Sequence, residues 1–425
     1  MAAASWRFRP ASVLIWGALS GSCTTEFPQL RDGACEVGKK LCAGNCVPAD
    51  DPAYGCASES CNACSLENGV AKCSGGTCVL ASCSDGFENC DDLDSTGCEA
   101  KTETDSKNCG TCQRDCRGGE CSAGACAPIV VALGQVKCFS VAADATHVYW
   151  VNQAGSAGLQ RLEHAKVGQT PTVLYAPAAQ GDLAIDQTHV YWANETSGLV
   201  FRLDKKALGT PQQVGMAVGA TGVALDATHV YWTGRGTGGA TDGTVSRALK
   251  DGSGAQVLAS SLDSPMIIAL DSTHAYWTSQ LGGSVSRVAK AGGAAEVLAV
   301  GKGVEPSNGW GVVVTLGNVF WRDGAQLRRV SAAGGTPVDA ATDQPASRFL
   351  TLQDGHLYWG RGPGVNAAQI MSLSADVSVG TQAEPITAPL AAAAHGIASD
   401  ADYIYFTNFG SGTTPSGGVF KVARP

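Results

Sequence analysis

From about residue 128 to the end of the chain, hydrophobic and polar residues alternate in short runs that fit β-strands. The runs are separated by Gly, Asp and Asn, and no stretch repeats its apolar residues at helical spacing. One phrase recurs, as "AADATHVYWV" at 142–151, "AIDQTHVYWA" at 184–193, "ALDATHVYWT" at 224–233 and "ALDSTHAYWT" at 269–278. The pattern therefore predicts a domain built from repeated β-units.

The aromatic residue after the tyrosine marks seven copies, at Trp150, Trp192, Trp232, Trp277, Trp321, Trp359 and Phe406. The hydrophobic pattern of a full copy predicts four short strands, and four strands are typical of a propeller blade. The last copy has only three, whereas "PIVVALG" at 128–134 is an unattached strand of the fourth kind. We therefore predict an all-β fold, with a seven-bladed β-propeller over residues 128–425 that is closed by its N-terminal strand.

Cysteine is crowded into the first 126 residues, and only Cys138 lies beyond them. Residues 24–127 have no apolar periodicity, so we predict an irregular module that disulfides hold together in an oxidising, exported compartment. Cys23 and Cys138 are then left over, and either Cys23 carries a lipid or the two pair. The disulfide candidates are Cys35, Cys42, Cys46, Cys56, Cys61, Cys64, Cys73, Cys78, Cys83, Cys90, Cys98, Cys109, Cys112, Cys116, Cys121 and Cys126.

Two features of this module have other interpretations. The pairs Cys61-x-x-Cys64 and Cys109-x-x-Cys112 have the spacing of zinc or redox sites, but the abundance of cysteine favours disulfides. An acidic run offers oxygen ligands for Ca²⁺, but it lacks the spacing of a calcium-binding hand, so a solvated loop is the main expectation. The run contains Asp91, Asp92, Asp94 and Glu99.

The cysteine spacing of "NCGTCQRDCRGGEC" and "GNCVPADDPAYGC" resembles the small cysteine-rich modules of myxobacterial exported proteins and of plant stigma-specific proteins. That resemblance implies an extracellular spacer or binding module and no particular chemistry.

The first 23 residues, "MAAASWRFRPASVLIWGALSGSC", have a basic start, a short apolar stretch and small residues before Cys23. The apolar stretch is too short to span a bilayer comfortably, and it is typical of a secretory signal. Small residues followed by cysteine resemble the bacterial lipoprotein signal, which implies lipidation of Cys23. The alternative is cleavage near Ser20 or Ser22 and release. Contact with the membrane is therefore expected only through the lipid anchor, where it is present.

The aromatic strands, such as "YWTG", "YWTS" and "FWRD", resemble the YWTD blades of lipoprotein-receptor propellers and related glycine-rich bacterial propellers. The aspartate of that family survives only as Asp323, and that family has six blades. Its receptor-type ligand binding is therefore not expected here.

Residues that recur in most blades are expected to be structural, because a catalyst needs one group in one special place. The aspartate of the phrase can accept backbone hydrogen bonds and build the turn before the aromatic strand. We extend the structural interpretation to His147, His189, His229, His274 and His356. Basic residues of the third strand are expected to pair along the blades, and these are Arg161, Arg202, Arg247, Arg287, Arg329 and Lys421.

Function is expected where the copies differ, and loops of one face are the usual place for binding sites. The candidates for ligand contact stand two places after the marker aromatic residue and open the loop between the second and third strands. They are Asn152, Asn194, Ser279, Asp323, Arg361 and Asn408.

The chain has a net charge of −9 and no basic run, which argues against binding to nucleic acid. We predict an exported surface protein with residues 1–23 as signal, 24–127 as the cysteine-rich module and 128–425 as a propeller that binds a protein or glycan. One alternative is an extracellular lyase or hydrolase using His395 or His164, and another is a structural envelope protein. No catalytic, metal or cofactor motif is present to assign.

Overall fold

The computed structural model describes residues 35–425 except 58, 156–157, 207–208, 239–240, 281–282, 302–310, 346–347, 363–367, 377–381 and 411–415. The predicted signal segment and Cys23 lie outside the described residues. Two compact units divide the described chain, the first with residues 35–84 and Leu93–Gly97, the second with Asp85–Asp92 and Cys98–Pro425. No helix among the described residues is long and apolar enough to span a bilayer.

The first unit contains two small hairpins and one turn of 3-10 helix. The hairpins are β1 (Lys39–Cys42) with β2 (Asn45–Pro48), and β3 (Gly69–Ser74) with β4 (Thr77–Cys83), and the 3-10 turn covers Pro52–Tyr54. Four disulfides cross-link these elements, namely Cys35–Cys46, Cys42–Cys61, Cys56–Cys73 and Cys64–Cys78. The bonds replace the apolar core that this segment lacks.

The second unit begins with two further ladders, β5 (Phe87–Glu88) with β6 (Ala100–Lys101) and β7 (Cys121–Ser122) with β8 (Ala125–Cys126). Its disulfides include Cys90–Cys112, Cys109–Cys121 and Cys116–Cys126. Cys98 of this unit and Cys83 of the first unit are disulfide-bonded as well. The prediction of a disulfide-rich module is confirmed. The cysteines of both C-x-x-C pairs bond to cysteines elsewhere, and Cys138 is a free, buried thiol.

Seven four-stranded antiparallel sheets follow, and each has its strands in chain order except the last. Blade 1 has β10 (Cys138–Ala143), β11 (His147–Asn152), β12 (Leu159–Glu163) and β13 (Thr172–Tyr175), with a 3-10 turn at His164–Lys166. Blade 2 has β14 (Leu183–Ile185), β15 (His189–Asn194), β16 (Leu199–Asp204) and β17 (Gln212–Met216). Blade 3 has β18 (Ala220–Leu225), β19 (His229–Gly234), β20 (Gly243–Leu249) and β21 (Gln256–Leu262).

Blade 4 has β22 (Pro265–Leu270), β23 (His274–Ser279), β24 (Val285–Ala289) and β25 (Glu296–Ala299). Blade 5 has β26 (Val312–Thr315), β27 (Asn318–Asp323), β28 (Gln326–Ser331) and β29 (Val338–Ala341). Blade 6 has β30 (Leu350–Gln353), β31 (His356–Arg361), β32 (Gln369–Ser374) and the short β33 (Glu384–Pro385). Blade 7 has β34 (Ala394–Ser399), β35 (Tyr403–Asn408), β36 (Gly417–Ala423) and, as its fourth strand, β9 (Ile129–Gln135).

The N-terminal strand closes the ring as the sequence predicts. β9 pairs antiparallel with β36, so Ile129 stands opposite Lys421 and Gln135 opposite Gly417. The first strands of successive blades pack on one another around the axis, including β34 of blade 7 on β10 of blade 1. The prediction of an all-β, seven-bladed propeller is therefore confirmed.

Packing between blades depends on the second strands, which are buried on both faces. The seven marker aromatic residues lie at most 3% exposed, and the residues before them, six tyrosines and Phe320, are equally buried. A strand that is covered on both faces can carry a large ring at every position, which is why the sequence reads Tyr-Trp and does not alternate with polar residues.

Candidate functional site at the mouth of the propeller

The repeated Asp-x-Thr-His phrase forms the turn between the first and second strands. In blade 3, Oδ1 of Asp226 accepts hydrogen bonds from the backbone N–H groups of Thr228 (3.0 Å) and His229 (2.8 Å). Oδ2 accepts from the Tyr231 hydroxyl (2.8 Å) and from the Lys290 ammonium of blade 4 (3.1 Å). The turn therefore also links two neighbouring blades. We call the side of the propeller that carries these turns the turn face.

The same contacts recur in other blades. Lys205 of blade 2 donates to Asp144 of blade 1 (2.7 Å), and Lys250 of blade 3 lies 3.0 Å from Asp186 of blade 2. In blades 1 to 4 the histidine Nδ1 lies within 2.8 Å of the neighbouring threonine hydroxyl. Each of these imidazoles therefore has a local partner in its own blade.

These contacts change the acidity of the groups involved. Burial opposes ionisation of Asp226, but its hydrogen bonds outweigh that cost and hold the pKa of the carboxyl well below 3.8. Burial and the adjacent carboxylate raise the pKa of Tyr231 to about 12. The aspartate is thus a fixed anion, which suits a structural acceptor.

His164 belongs to the turn face and not to the opposite one. It stands in blade 1 where Lys205, Lys250 and Lys290 stand in the following blades, and its Nε2 lies 2.7 Å from the carbonyl oxygen of Asp144. Its Nδ1 lies 3.4 Å from the Tyr405 hydroxyl of blade 7. Both ring nitrogens are engaged, one within blade 1 and one toward blade 7, and catalysis by His164 stays a prediction.

The opposite side, where the second strands end and the third strands begin, is called the loop face. Each predicted ligand-contact residue lies at the end of a second strand on this face. Four of the six are buried: Asn152, Asn194, Ser279 and Asp323.

All of these side chains except Ser279 have a hydrogen-bond partner shown in the structure, and the six residues lie in six different blades. Asn194 accepts from the backbone of Ser197 (3.1 Å), and Asp323 accepts from Arg328 (3.0 Å). Arg361 donates to Gln369 and Asn408 accepts from the backbone of Gly410 (2.9 Å). Ligand contact by these residues stays a prediction, and only the last two are partly exposed.

The loop face also carries a cluster of residues at the axis, which we call the mouth cluster. His395 is the second residue of β34, and its ring centroid lies 4.9 Å from Phe139, 4.8 Å from Phe409 and 5.6 Å from Phe349. Arg348 precedes Phe349 and is close enough to lower the pKa of His395 electrostatically. The cluster joins blades 6, 7 and 1.

The imidazole of His395 is buried, at 8% exposure, and neutral. Burial lowers its pKa to about 3. Its Nδ1 lies 2.9 Å from the carbonyl oxygen of Phe139, and a carbonyl only accepts, so Nδ1 carries the proton and Nε2 carries the lone pair. Nε2 is buried and has no hydrogen-bond partner among the described residues. The mouth cluster thus contains one hydrogen-bond acceptor without a described partner, Nε2 of His395, next to three phenylalanine rings.

A second polar group lies at the start of the first strands of blades 1 and 2. The Ser140 hydroxyl donates to Asp182 at 2.6 Å, and burial raises the pKa of Asp182 to about 6. Because Ser140 directly follows Phe139, the Ser140–Asp182 pair lies next to the mouth cluster.

Sequence reasoning identified His395 but missed the three phenylalanines and Arg348. Aligning the blades by strand register shows that the second residue of the first strand is Phe139, Thr221, Met266 and His395 in blades 1, 3, 4 and 7. This position varies far more than the repeated phrase does. This variation could have identified the mouth cluster from the sequence, because we expected functional residues at positions where the blades differ.

No protein-family model and no curated protein matches the chain. Among solved structures, a streptogramin B lyase is 14% identical with a TM-score of 0.55, over 70% of this chain and 97% of that one. A catalytically inactive variant of virginiamycin B lyase from Staphylococcus aureus, with quinupristin, is 16% identical with a TM-score of 0.54, over 70% and 98%. An extracellular domain of a hybrid two-component system from B. thetaiotaomicron is 10% identical with a TM-score of 0.51, over 69% and 39%. At these identities the similarity shows a shared fold, the β-propeller.

Proposed function

We propose that this chain is an exported binding protein that contacts a protein or glycan ligand at the mouth cluster on the loop face. Its many disulfides indicate a non-cytoplasmic, oxidising compartment. Lipid anchoring through Cys23 is part of the proposal and is supported by the N-terminal sequence. The resemblance to myxobacterial-type exported propellers with YWTD-like strands supports the same conclusion.

One observation carries the proposal: the unpartnered Nε2 of His395 in the mouth cluster. The repeated Asp, Thr and His side chains of blades 1 to 4 are used in turns, and the aspartates of blades 1 to 3 also link neighbouring blades. Nε2 differs, because a buried acceptor without a partner costs about 1–3 kcal/mol. Such a cost is offset when a ligand supplies the missing donor, and Phe409, the partly exposed ring of the cluster, provides apolar contact area, whereas Phe139 and Phe349 are buried.

The test is a binding screen of the full chain against glycans and extracellular proteins, followed by a matched variant. In His395→Phe the new ring resembles Phe139, which holds the equivalent place in blade 1, so the fold should accept it. We expect binding to weaken about tenfold or more through loss of the acceptor. The control, His274→Ala on the turn face, should bind as the parent chain does. Equal binding by both variants would move the site away from the mouth cluster.

A lyase is the second candidate function, favoured by the presence of a single buried histidine at the mouth and by the fold shared with two lyases. Against it, neither ring nitrogen of His395 bonds to a carboxylate among the described residues, and the charged neighbour that acts on it is Arg348. A general base of this kind usually has an orienting acid.

Mass spectrometry of quinupristin incubated with the full chain decides this candidate. Cleavage of quinupristin that disappears in His395→Phe would establish the lyase. Unchanged quinupristin over a long incubation at high protein concentration would remove this substrate from consideration and leave the binding proposal in place.

A further inference from the structure

A cleft of about 570 Å³ lies beside blade 6, toward the turn face and apart from the mouth cluster. Its lining includes Tyr358 and Ser372, which stand opposite each other on the second and third strands. In the other six blades the residue at the Ser372 position is basic, and it is Arg161, Arg202, Arg247, Arg287, Arg329 or Lys421. Blade 6 is therefore the blade in which this basic side chain is missing.

Blade 4 shows what the arginine normally does. Nε of Arg287 donates to Glu296 of the fourth strand at 2.8 Å, and Nη1 donates to the carbonyl oxygen of Ala332 in blade 5. Blade 2 repeats the arrangement, since Arg202 donates to the Gln212 side chain at 2.9 Å and to a carbonyl of blade 3 at 2.7 Å. A guanidinium thus bridges a fourth-strand side chain and a main-chain carbonyl of the next blade.

Blade 6 keeps the groups that would receive such a guanidinium. Glu384 stands opposite Ser372 as Glu296 stands opposite Arg287. Arg424 holds the place in blade 7 that Ala332 holds in blade 5, three residues after the basic position of the third strand. Both Glu384 and Arg424 line the cleft.

The charges around the cleft leave the carboxylate of Glu384 available. Arg424 is paired with Asp354 at 2.7 Å. Arg114, from the cysteine-rich part of the same unit, also lines the cleft, but its described hydrogen bond is to the carbonyl oxygen of Ile386 at 2.9 Å. Glu384 is exposed, and its side chain has no hydrogen bond or ion pair with any other described residue. Arg424 also lies beside Tyr358 and donates to the carbonyl oxygen of Ala401 at 2.7 Å, so neither arginine pairs with Glu384.

We propose that this cleft binds the guanidinium group of a ligand, such as an arginine side chain of a peptide or protein. The guanidinium would lie between the Glu384 carboxylate and the Arg424 carbonyl and replace the arginine that blade 6 lacks. Guanidinium pairs with a carboxylate through two parallel charged hydrogen bonds, which gives this class of ligand its advantage over an ammonium group.

The test uses calorimetric titration of the full chain with N-acetyl-L-argininamide, and N-acetyl-L-citrullinamide is the uncharged probe of the same shape. We expect the arginine probe to bind about tenfold or more tightly than the citrulline probe, because only it makes charged hydrogen bonds. A comparison with agmatine then separates the two sources of this chemistry. Tighter binding of N-acetyl-L-argininamide indicates a peptide ligand, and tighter binding of agmatine indicates a free guanidinium compound.

Two variants and one control locate the binding. Ser372→Arg supplies the blade's own guanidinium and should abolish binding while the chain stays folded, as tryptophan fluorescence would show. Glu384→Gln should weaken binding of the arginine probe about tenfold. If Ser372→Arg does not fold, this variant alone tests whether the probe binds in the cleft. The control Glu296→Gln, at the same position of blade 4, should leave binding unchanged. Equal binding of the two probes, or full binding by a folded Ser372→Arg chain, would overturn the proposal.

Discussion

The link between Asp226 and Lys290 allows the stability of neighbouring blades to be tested quantitatively. In Asp226→Ala, two backbone N–H groups, the Tyr231 hydroxyl and the ammonium lose their acceptor. At about 1 kcal/mol for each net hydrogen bond, with partial solvent access at the turn, the expected loss in the free energy of unfolding is about 3 kcal/mol. Asp226→Asn keeps an oxygen for the turn and loses the charge, so it should cost about 1 kcal/mol.

Blade 4 supplies the matched control. Asp271 makes the same turn and accepts from the Tyr276 hydroxyl at 2.6 Å, but the next blade has Ala332 where Lys290 would stand. Asp271→Asn should therefore destabilise the chain less than Asp226→Asn does. The assay is urea-induced unfolding followed by tryptophan fluorescence, with Lys290→Met completing a double-mutant cycle.

The pH dependence gives a second measurement of the same link. The pKa of Asp226 is depressed in the folded chain, so its contribution is complete above the ordinary value of 3.8 and is lost as pH falls below it. Asp226→Asn should reduce the loss of stability in acid. Equal costs for Asp226→Asn and Asp271→Asn, together with a coupling energy near zero, would refute the assignment of a stabilising link between blades.

Three further predictions concern other parts of the chain. Gly396→Ala should destabilise blade 7 by about 2 kcal/mol or more in urea unfolding, because a Cβ there would lie 2.5 Å from the carbonyl oxygen of Phe139. His395 has a folded pKa of about 3, so the unfolded chain binds one more proton between that pH and 6.5. Stability should therefore decrease as pH is lowered from 6.5 toward 3, and His395→Phe should flatten the dependence of the melting temperature on pH. Cys138 is fully buried, so it should not react with a thiol reagent until guanidinium chloride unfolds the chain.

The architecture could be predicted from the sequence because nearly the same aromatic strand motif recurs in each blade. Burial of Trp232 and its equivalents on both sides of a second strand requires a large ring at the same place in every copy. The N-terminal strand was identifiable because the last copy lacks a fourth strand. Both features can be recognised in the sequence itself, so no knowledge of tertiary contacts is needed to find them.

The candidate site and the disulfide pairing could not be predicted in the same way. His395 and Phe139 are 256 residues apart and meet only when the ring closes. Asn194 looked exposed because it opens a loop, but its side chain folds back to accept a backbone N–H and is buried. Sixteen closely spaced cysteines allow very many pairings, and spacing alone does not choose among them.

The segment Cys98–Cys126 contacts blades 6 and 7, and this would have a mechanical consequence if the proposed N-terminal lipid anchor holds the protein. Arg117 forms an ion pair with Asp402 of blade 7 and its carbonyl accepts from the Tyr403 hydroxyl, while Cys116 is bonded to Cys126 just before the closing strand. Under tension from such a tether, the Cys116–Cys126 bond would pass force directly toward β9, and the contacts of Arg117 with blade 7 would share that force with the pairing of β9 to β36. The non-covalent closure of the ring would then not bear the pulling force alone.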